Sequence, residues 1–368
     1  MMANERELFA RRRVLSTAFG AVTTALIART APLDAMSRVD ASGRRERGGE
    51  SVNVRDRGAQ GDGRHDDTEA IQSAIDSLPE GGGTVHLPDG RYLVDPLQSL
   101  RLRSNMHLSL ASNAKLEAKP NAADRAYMLL LHRVENVEIS GGLLLGERST
   151  HLGTTGEWGH GIQLRGASRV TIRNTRISEC WGDGICIGDA RIGRGKSAVQ
   201  FPSTDVLISH VSCIENRRQG LSIGHSRNVR VLDSEFTGTH GTPPAYGIDI
   251  EPDQGDDVRG VRIERCVIRG NQGGGIQVYK RSADVSILDN AIERNLGYGI
   301  LVIGGTGGRI ERNKVMDNAL AGVAMRQGAQ DFKVIGNVLS GHPRKRDLEV
   351  LKSASRIVTS DNRVIGKD

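Results

Sequence analysis

A short phrase recurs between residues 160 and 325, and it constrains the fold more than any other feature of the chain. In each copy a glycine is followed by an aliphatic residue, a variable residue and a second aliphatic residue, as in the run from Gly161 to Leu164. Repeats of about 20 to 50 residues predict stacked supersecondary units, and the alternation predicts a strand with one face in a core. Successive copies are 23 to 36 residues apart and begin at His160, Asp183, Gln219, Tyr246, Gly274, Tyr298 and Ala321.

A second type of strand lies between the copies and ends in a polar turn, as in the run from Val170 to Asn174. Two or three short strands in each repeat, without a helical period between them, predict a parallel β-solenoid whose coils stack about 4.8 Å apart. The glycine that opens each phrase predicts a tight corner with positive φ. The longest repeat contains a basic insertion at 190–202 with Arg191, Arg194 and Lys196, and insertions of this kind often border a binding face.

Residues 52–94 carry a different pattern, a strand and a Gly-Asp-Gly turn before a helix that ends at a glycine run. The helix, predicted over 67–78, would cap the open end of the solenoid core. This pattern resembles the N-terminal cap of the pectate-lyase-superfamily β-helix proteins, which include polygalacturonase-like enzymes, mannuronan C5-epimerases and phage tailspikes. The resemblance implies an all-β fold, a single-stranded right-handed parallel β-helix over 51–368 with an N-terminal capping helix.

The resemblance does not select a reaction, because this fold hosts hydrolases, lyases, epimerases and binding proteins. The Arg-Ile-Lys motif of polygalacturonases and the Asp-Pro-His-Glu motif of the epimerases are missing from the sequence. The run 216–223, together with Asp249 and Glu251, resembles a separate bacterial subgroup of these proteins. The reaction must therefore be inferred from the side chains themselves.

The N-terminus resembles an export signal. Arg11 and Arg12 precede an apolar stretch over 14–28 that is too short to span a membrane. We expect a twin-arginine signal peptide at 1–35, a polar linker at 36–50, and export of the folded protein to the periplasm or beyond without stable membrane insertion. The alternative is a disordered basic tail. A net charge of +6 is too small to indicate a nucleic-acid partner.

Aligning the copies on their glycine predicts which side chains point away from the core. Polar, titratable and aromatic residues crowd these positions from 160 to 281 and give way to apolar ones later, which favours a site in the middle of the solenoid. The predicted outward column at the variable position contains Gln163, Cys186, Ser222, Asp249, Gln277, Leu301 and Ala324.

Three carboxylates in this region are predicted to be catalytic. Asp249 and Glu251 lie two residues apart on one strand, so they share a face with Cα atoms about 6.6 Å apart. Paired carboxylates serve glycoside hydrolysis as acid and base. Asp183, two coils away, is predicted as the third carboxylate. The alternative is that these acids are solvated and balanced by Arg218 and Lys280.

Seven further residues are predicted to contact substrate. The basic residues would neutralise a uronate during elimination or epimerisation, the histidines would carry protons, and the aromatic rings would stack on sugar faces. The alternatives are ordinary ion pairing and packing. The predicted substrate-binding residues are Arg218, His225, Tyr279, Lys280, Tyr246, Trp181 and His160.

The sequence thus predicts a carbohydrate-active enzyme that cleaves glycosidic bonds of a polysaccharide, by hydrolysis with paired carboxylates. A lyase or C5-epimerase acting on a uronate polymer is the first alternative, and a non-catalytic glycan-binding or structural solenoid is the second. No cofactor or metal ion is expected. Ca²⁺ held by the acidic stretch 249–257 is the alternative to plain solvation of those acids.

Overall fold

The computed structural model describes residues 44–193, 198–344 and 346–365, and it shows a parallel β-helix. Among these residues, sheets A and B have 12 strands each and sheet C has 10. Every pairing inside the three sheets is parallel and joins one coil to the next. The predicted solenoid is therefore confirmed, and most coils have three strands where two or three were expected. The twin-arginine segment lies outside the described residues.

The strands of sheet A are β1 (Glu50–Asn53), β3 (Gly83–Leu87), β6 (Met106–Leu110), β9 (Glu135–Ser140), β12 (Ser168–Arg173), β17 (Ser203–Ser209), β20 (Ser226–Leu232), β23 (Val258–Glu264), β26 (Ser282–Leu288), β29 (Thr306–Glu311), β32 (Gln330–Ile335) and β35 (Val358–Ser360). The strands of sheet B are β2 (Asp62–Asp66), β4 (Gly90–Val94), β7 (Ala114–Ala118), β10 (Leu143–Leu145), β13 (Arg176–Ser178), β18 (Ser212–Ile214), β21 (Glu235–Thr237), β24 (Val267–Arg269), β27 (Ala291–Glu293), β30 (Lys314–Met316), β33 (Val338–Ser340) and β36 (Arg363–Ile365).

The strands of sheet C are β5 (Leu100–Arg101), β8 (Arg125–His132), β11 (Trp158–Arg165), β14 (Ile185–Gly188), β19 (Leu221–Ile223), β22 (Ile248–Ile250), β25 (Ile276–Val278), β28 (Ile300–Ile303), β31 (Val323–Arg326) and β34 (Leu348–Val350). Two short strands form an antiparallel hairpin, β15 (Ala190–Ile192) and β16 (Val199–Phe201). The helices are α1 (Thr68–Asp76) and two 3₁₀ turns at Val54–Arg57 and Arg148–Thr150.

The recurring phrase forms sheet C, and its aliphatic positions fill the core. The residue after each glycine is fully buried and pairs in register with its counterparts on the neighbouring coils. This regular stacking lets each coil cover the apolar surface of the next, as a solenoid requires. The inward column is Ile162, Ile185, Leu221, Ile248, Ile276, Ile300 and Val323.

Helix α1 covers the N-terminal end of this core. Its apolar face inserts Ile71, Ala74 and Ile75, which are fully buried. The chain before the helix is fixed by Asp67, whose carboxylate accepts backbone N–H bonds from Gln60 at 2.6 Å and from Gly61 at 3.1 Å. The Asp and Thr near the predicted helix start therefore anchor the cap onto the first coil.

The glycines of the recurring phrase are needed because consecutive coils approach closely. A Cβ atom on Gly184 would lie 2.7 Å from the carbonyl oxygen of Gly220, and one on Gly220 would lie 2.5 Å from that of Gly247. Gly299 has the same relationship to Gly322, at 2.5 Å. None of these residues has a positive φ. The prediction of left-handed corners was wrong, since interstrand contact, not backbone conformation, excludes a side chain.

Buried asparagines line two turns of the coil and bond along the solenoid axis. The Nδ2 of Asn290 donates to Asn313 Oδ1 at 2.9 Å, and the Nδ2 of Asn313 donates to Asn337 Oδ1 at 2.9 Å. At the other turn the Nδ2 of Asn271 donates to Asn295 Oδ1 at 2.8 Å. These ladders satisfy polar groups that would otherwise be unpaired at buried corners.

The segment 44–49, part of the stretch expected as a linker, lies across the outer face of sheet A. The Nε of Arg45 donates to Thr171 Oγ1 at 2.8 Å. Arg47 pairs with the fully buried Glu138 at 2.7 Å. Among the described residues, no helix is long and apolar enough to cross a membrane.

Candidate functional site

A cleft of about 640 Å³ lies on the outward face of sheet C, over β11, β14, β19 and β22. Its position in the middle coils agrees with the polar gradient in the sequence. Six of its lining residues carry a carboxyl group, whereas one, Arg218, carries a permanent positive charge. The lining acids are Asp183, Asp189, Asp249, Glu251, Asp253 and Asp256.

Asp249 lies at the centre of the cleft floor and is only 2% exposed. Its Oδ2 accepts a hydrogen bond of 2.8 Å from Gln219, and its Oδ1 accepts one of 3.0 Å from Gln277. Burial, reinforced by the negative charge of Glu251, raises the pKa of Asp249 to about 8. Asp249 therefore holds a proton at neutral pH, in a position next to the cleft.

Gln219 identifies the oxygen of Asp249 that carries this proton. The Oε1 of Gln219 accepts the backbone N–H of Tyr246 at 2.7 Å, so its Nε2 must donate to Asp249 Oδ2. Gln277 has no such constraint, and its amide is free to turn its oxygen toward Asp249. With the Gln277 amide turned in this way, Oδ1 is the carboxyl oxygen that has an acceptor for the proton.

Asp183 is fully buried and is bonded as an anion. Its Oδ2 accepts a hydrogen bond of 2.8 Å from Ser222 Oγ, and Arg218 donates to both oxygens at 3.2 and 3.3 Å. The same guanidinium bonds Glu157 at 2.8 Å through Nε. Arg218 thus lies between two carboxylates, and its charge is already compensated by the protein.

His160 lies beside Asp183, but the two do not form an ion pair. The Nδ1 of His160 accepts the backbone N–H of Asp183 at 2.9 Å, which places the ring proton on Nε2. Burial lowers the pKa of His160 to about 4, although the charge of Asp183 opposes this shift. A neutral His160 therefore acts as a hydrogen-bonding group and not as a cation.

The far wall of the cleft is formed where the β15–β16 hairpin meets the turn after β22. Arg191 on the hairpin donates to Asp189 at 2.8 Å and to Asp256 at 2.6 Å, and Gln200 donates to Asp256 at 2.7 Å. His225 lies next to this cluster with its Nδ1 buried and without a hydrogen-bond partner. The predicted insertion thus borders the cleft through Arg191 and Gln200, whereas Arg194 and Lys196 lie outside the described residues.

Two groups of side chains have a composition that suits a metal ion. In the first, His160 and Asp183 are joined by Cys186, but Arg218 already supplies the positive charge that pairs with Asp183. In the second, Asp189, His225 and Asp256 lie together, but Arg191 already supplies their positive charge. Neither group requires an ion for charge balance.

The structure brings six of the ten predicted site residues into the cleft and leaves four outside it. Those lining it are Asp183, Asp249, Glu251, Arg218, His225 and His160. Those outside it are Trp181, Tyr246, Tyr279 and Lys280.

Each of the four excluded residues has a different environment. Trp181 stacks on His151 at 3.8 Å and lies under the guanidinium of Arg217 at 3.7 Å. Lys280 is exposed and its ammonium lies 5.6 Å from the ring centre of Tyr279, beyond the end of β25.

Tyr246 belongs to a second apolar cluster, with Leu301 and Ala324, on the outer face of sheet C. Tyr298 packs against the same cluster. The predicted outward column does point away from the core, and its register is confirmed. Most of its members are nevertheless buried, so a position outside the core does not make a side chain solvent-exposed on this sheet.

Several lining residues were not predicted as site residues. Trp158, 41% exposed, stands at one wall with the guanidinium of Arg125 4.9 Å from its ring centre. Asp253 and Asp256 follow β22 in the acidic run already noted in the sequence, which was the available signal. Asp189 is placed by the hairpin that follows it, a tertiary contact without a signal in the repeat.

The parallel solenoid of three sheets defines the protein as a β-helix protein, and comparison with known families gives the same class. Residues 131–255 and 208–364 match the family described as "Right handed beta helix region", and residues 51–134 match "Rhamnogalacturonase A/epimerase, pectate lyase-like". The chain belongs to the right-handed β-helix family. The predicted handedness and the predicted resemblance to pectate-lyase-like proteins are confirmed.

The chain matches only part of the length of each of these curated relatives. The chain is 30% identical to uncharacterized protein YclG of Bacillus subtilis over 69% of this chain and 45% of that protein. It is 29% identical to mannuronan C5-epimerase AlgE5 of Azotobacter vinelandii over 74% of this chain and 25% of the epimerase. The chain thus spans less than half the length of these curated relatives.

The solved structures show the same fold at low sequence identity. The Dettilon tailspike protein superposes with a TM-score of 0.67 at 17% identity, over 86% of this chain and 62% of the tailspike chain. At this identity the likeness extends to the fold alone.

Proposed function

We propose that the protein hydrolyses glycosidic bonds of a polysaccharide in the sheet C cleft. This proposal rests on the different environments of two carboxyl groups at the C-terminal end of β22. Asp249 is buried with a pKa raised to about 8, whereas Glu251 is exposed at the cleft rim. Two carboxyl groups in such different environments take separate acid and base roles.

Asp249 is the general acid of this proposal. Its Oδ1 proton passes to the glycosidic oxygen as the bond to the anomeric carbon breaks. Gln219 and Gln277 hold the carboxyl group in place and bond the carboxylate that remains. A proton-bearing acid at neutral pH is what this step needs.

Glu251 is the base that activates water against the anomeric carbon. No residue in the described part of the chain forms an ion pair with it, so its oxygens remain available to a water molecule. Asp183 has a different role, because Ser222 and Arg218 occupy its oxygens. Asp183 fixes Arg218 at the edge of the cleft, where the remaining guanidinium surface faces sugar hydroxyls.

The charge of the cleft disfavours the uronate lyase and epimerase alternatives. Both reactions need cations that bind the substrate carboxylate and stabilise the enolate. Among the described lining residues Arg218 is the sole Arg or Lys, and it is shared by Glu157 and Asp183. Arg217 lies on Trp181 and Arg281 bonds backbone oxygens of Pro252 and Asp253, so neither reaches the cleft.

The test is a screen of the protein against neutral, acidic and amino polysaccharides. Hydrolysis predicts new reducing ends without ultraviolet absorbance from an unsaturated product. Absorbance at the chain ends would instead establish a lyase, and a changed uronate composition without cleavage would establish an epimerase. Saturable binding with no product on any glycan would support the non-catalytic alternative and refute the hydrolase.

A further inference from the structure

The carboxylates of the cleft are not equally compensated. Arg218 pairs with Asp183, and Arg191 pairs with both Asp189 and Asp256. Within the part of the chain that the structure describes, no such partner is found for Glu251 or Asp253. Both are exposed at the rim, and together they give the cleft mouth a negative potential that attracts cations.

His225 adds an independent feature at the same end of the cleft. Its side chain is 9% exposed, and its buried Nδ1 lacks a hydrogen-bond partner. Nε2 faces Asp257 Oδ1 at 3.7 Å, and in the neutral tautomer with its proton on Nε2 the ring carries a lone pair on Nδ1. That lone pair faces Asp256 Oδ1 across 3.9 Å. Two acceptors therefore lie side by side, and an unsatisfied acceptor of this kind costs free energy until a donor binds.

The separation of these acceptors suits an ammonium group better than a metal ion. A nitrogen about 2.8 Å from each acceptor would subtend an angle of roughly 90° between them, which two N–H bonds can serve. A transition metal with bonds of about 2.1 Å would need an angle of roughly 135°, far from tetrahedral.

We propose that the cleft recognises glycans with unsubstituted amino sugars, whose ammonium groups bind Asp253 and the acceptor pair of His225 and Asp256, while Glu251 adds negative charge at the rim and stays free to act on water. This inference rests on the proposed function, since it names the substrate class of the same cleft. N-acetylation removes the charge, and a uronate reverses it. Both modifications therefore weaken binding.

The experiment compares dissociation constants for three matched tetrasaccharides by calorimetry at a pH of about 7, where an ordinary imidazole is neutral and keeps its lone pair while a fraction of the amino groups is still charged. The probes are β-1,4-linked glucosamine, its fully N-acetylated counterpart and oligogalacturonate, and the first pair is repeated with galactosamine oligosaccharides. We expect the amino oligosaccharide to bind at least about fivefold more tightly than its N-acetylated form, with an affinity that falls as salt is added.

Substitutions at the cleft rim and at His225 test which residues bind the amino group. Glu251→Gln combined with Asp253→Asn should lower affinity for the amino sugar about five- to tenfold, and His225→Ala should lower it further. Glu69→Gln combined with Asp76→Asn, an equal charge change at two exposed residues of α1, is the matched control and should change nothing. Equal affinity for the amino and N-acetylated forms, or no effect of the rim variants, overturns the inference.

Two further outcomes separate this inference from the hydrolase proposal. Hydrolysis of a neutral glycan without any preference for amines refutes the inference and leaves the hydrolase intact. Tight, amine-dependent binding without cleavage refutes the hydrolase and leaves the inference intact.

A metal ion is the other ligand to test. If Zn²⁺ or Mn²⁺ raises the Tm of the wild type but not of His225→Ala, while amino sugars do not bind, the cluster is a metal site and the inference fails.

Discussion

Asp183 accepts a hydrogen bond of 2.8 Å from Ser222, although the two residues belong to consecutive coils. Ser222 is the register partner of Asp249 on the next strand. The bond therefore places the Asp183 carboxylate next to the coil that adjoins Asp249. The spacing of neighbouring strands then puts the two carboxylates within roughly 8 Å of each other. Two acids that are 66 residues apart in the sequence thus share one cleft.

The first prediction concerns the acid and the base. Asp249→Asn and Glu251→Gln each remove a proton carrier, so we expect turnover on a confirmed substrate to fall about a hundred- to ten-thousandfold. Melting temperatures should change little for Glu251→Gln because that side chain is exposed. Full activity in both variants, measured by release of reducing ends, would move the site elsewhere. Glu69→Gln alone serves as the control.

The second prediction concerns stability and pH. The folded-state pKa of Asp249 is about 8, well above the ordinary value of 3.8. Between these values the folded protein holds a proton that the unfolded chain has lost, so this residue lowers the free energy of unfolding as pH rises. Asp249→Asn should therefore gain stability over the wild type from pH 4 to pH 8, with no further gain above that. A Tm difference independent of pH would contradict the raised pKa.

The third prediction concerns Arg218, which bonds Asp183 and Glu157 at once. Arg218→Ala leaves the fully buried Asp183 carboxylate without its cation, and we expect a loss of about 3 to 5 kcal/mol in the free energy of unfolding. Arg218→Lys should recover part of this loss. The combination Arg218→Ala with Asp183→Asn should recover more, because no buried charge remains. Chemical denaturation measures all three variants.

The fourth prediction concerns the glycines of the recurring phrase. Gly299→Ala places a Cβ 2.4 Å from Val315 and 2.5 Å from the carbonyl of Gly322, so we expect a loss of about 1 to 3 kcal/mol. Gly81→Ala is the control, because a Cβ there meets nothing within 4 Å and its φ is not positive. Equal stability of the two variants would show that the coils can separate without cost.

The fifth prediction concerns export, which we propose proceeds by the twin-arginine route. Replacing Arg11 and Arg12 by Lys keeps the charge of the segment but removes the paired arginines. The precursor should then remain in the cytoplasm, as fractionation and immunoblotting would show. Unchanged export of the doubly substituted chain would refute the proposal.

The repeat made the fold predictable because one physical pattern determines each coil. The alternation of aliphatic and variable residues fixed which side of sheet C enters the core, and the register of Cys186, Ser222, Asp249 and Gln277 followed from aligning the glycines. The carboxylates on that column could therefore be proposed as neighbours before any coordinates were known.

The environment of the site was less predictable, since it depends on loops that the repeat does not describe. Gln219 reaches Asp249 from the turn before β19, while burial and the negative charge of Glu251 raise the pKa of Asp249. Tyr246 lies before a similar strand but turns toward Leu301. Alignment gives the position of a side chain on a coil, whereas its direction beyond the sheet depends on tertiary packing.

The hairpin β15–β16 interrupts the chain between β14 and β19 without disturbing the pairing of those two strands. The floor of the cleft and its far wall are thus independent parts, one fixed by the stack and the other by a loop that can change in length and composition. A different loop at this point would surround the same acids with different side chains. Diversification of specificity in such a scaffold requires only the replacement of one surface segment, with the stability of the coils untouched.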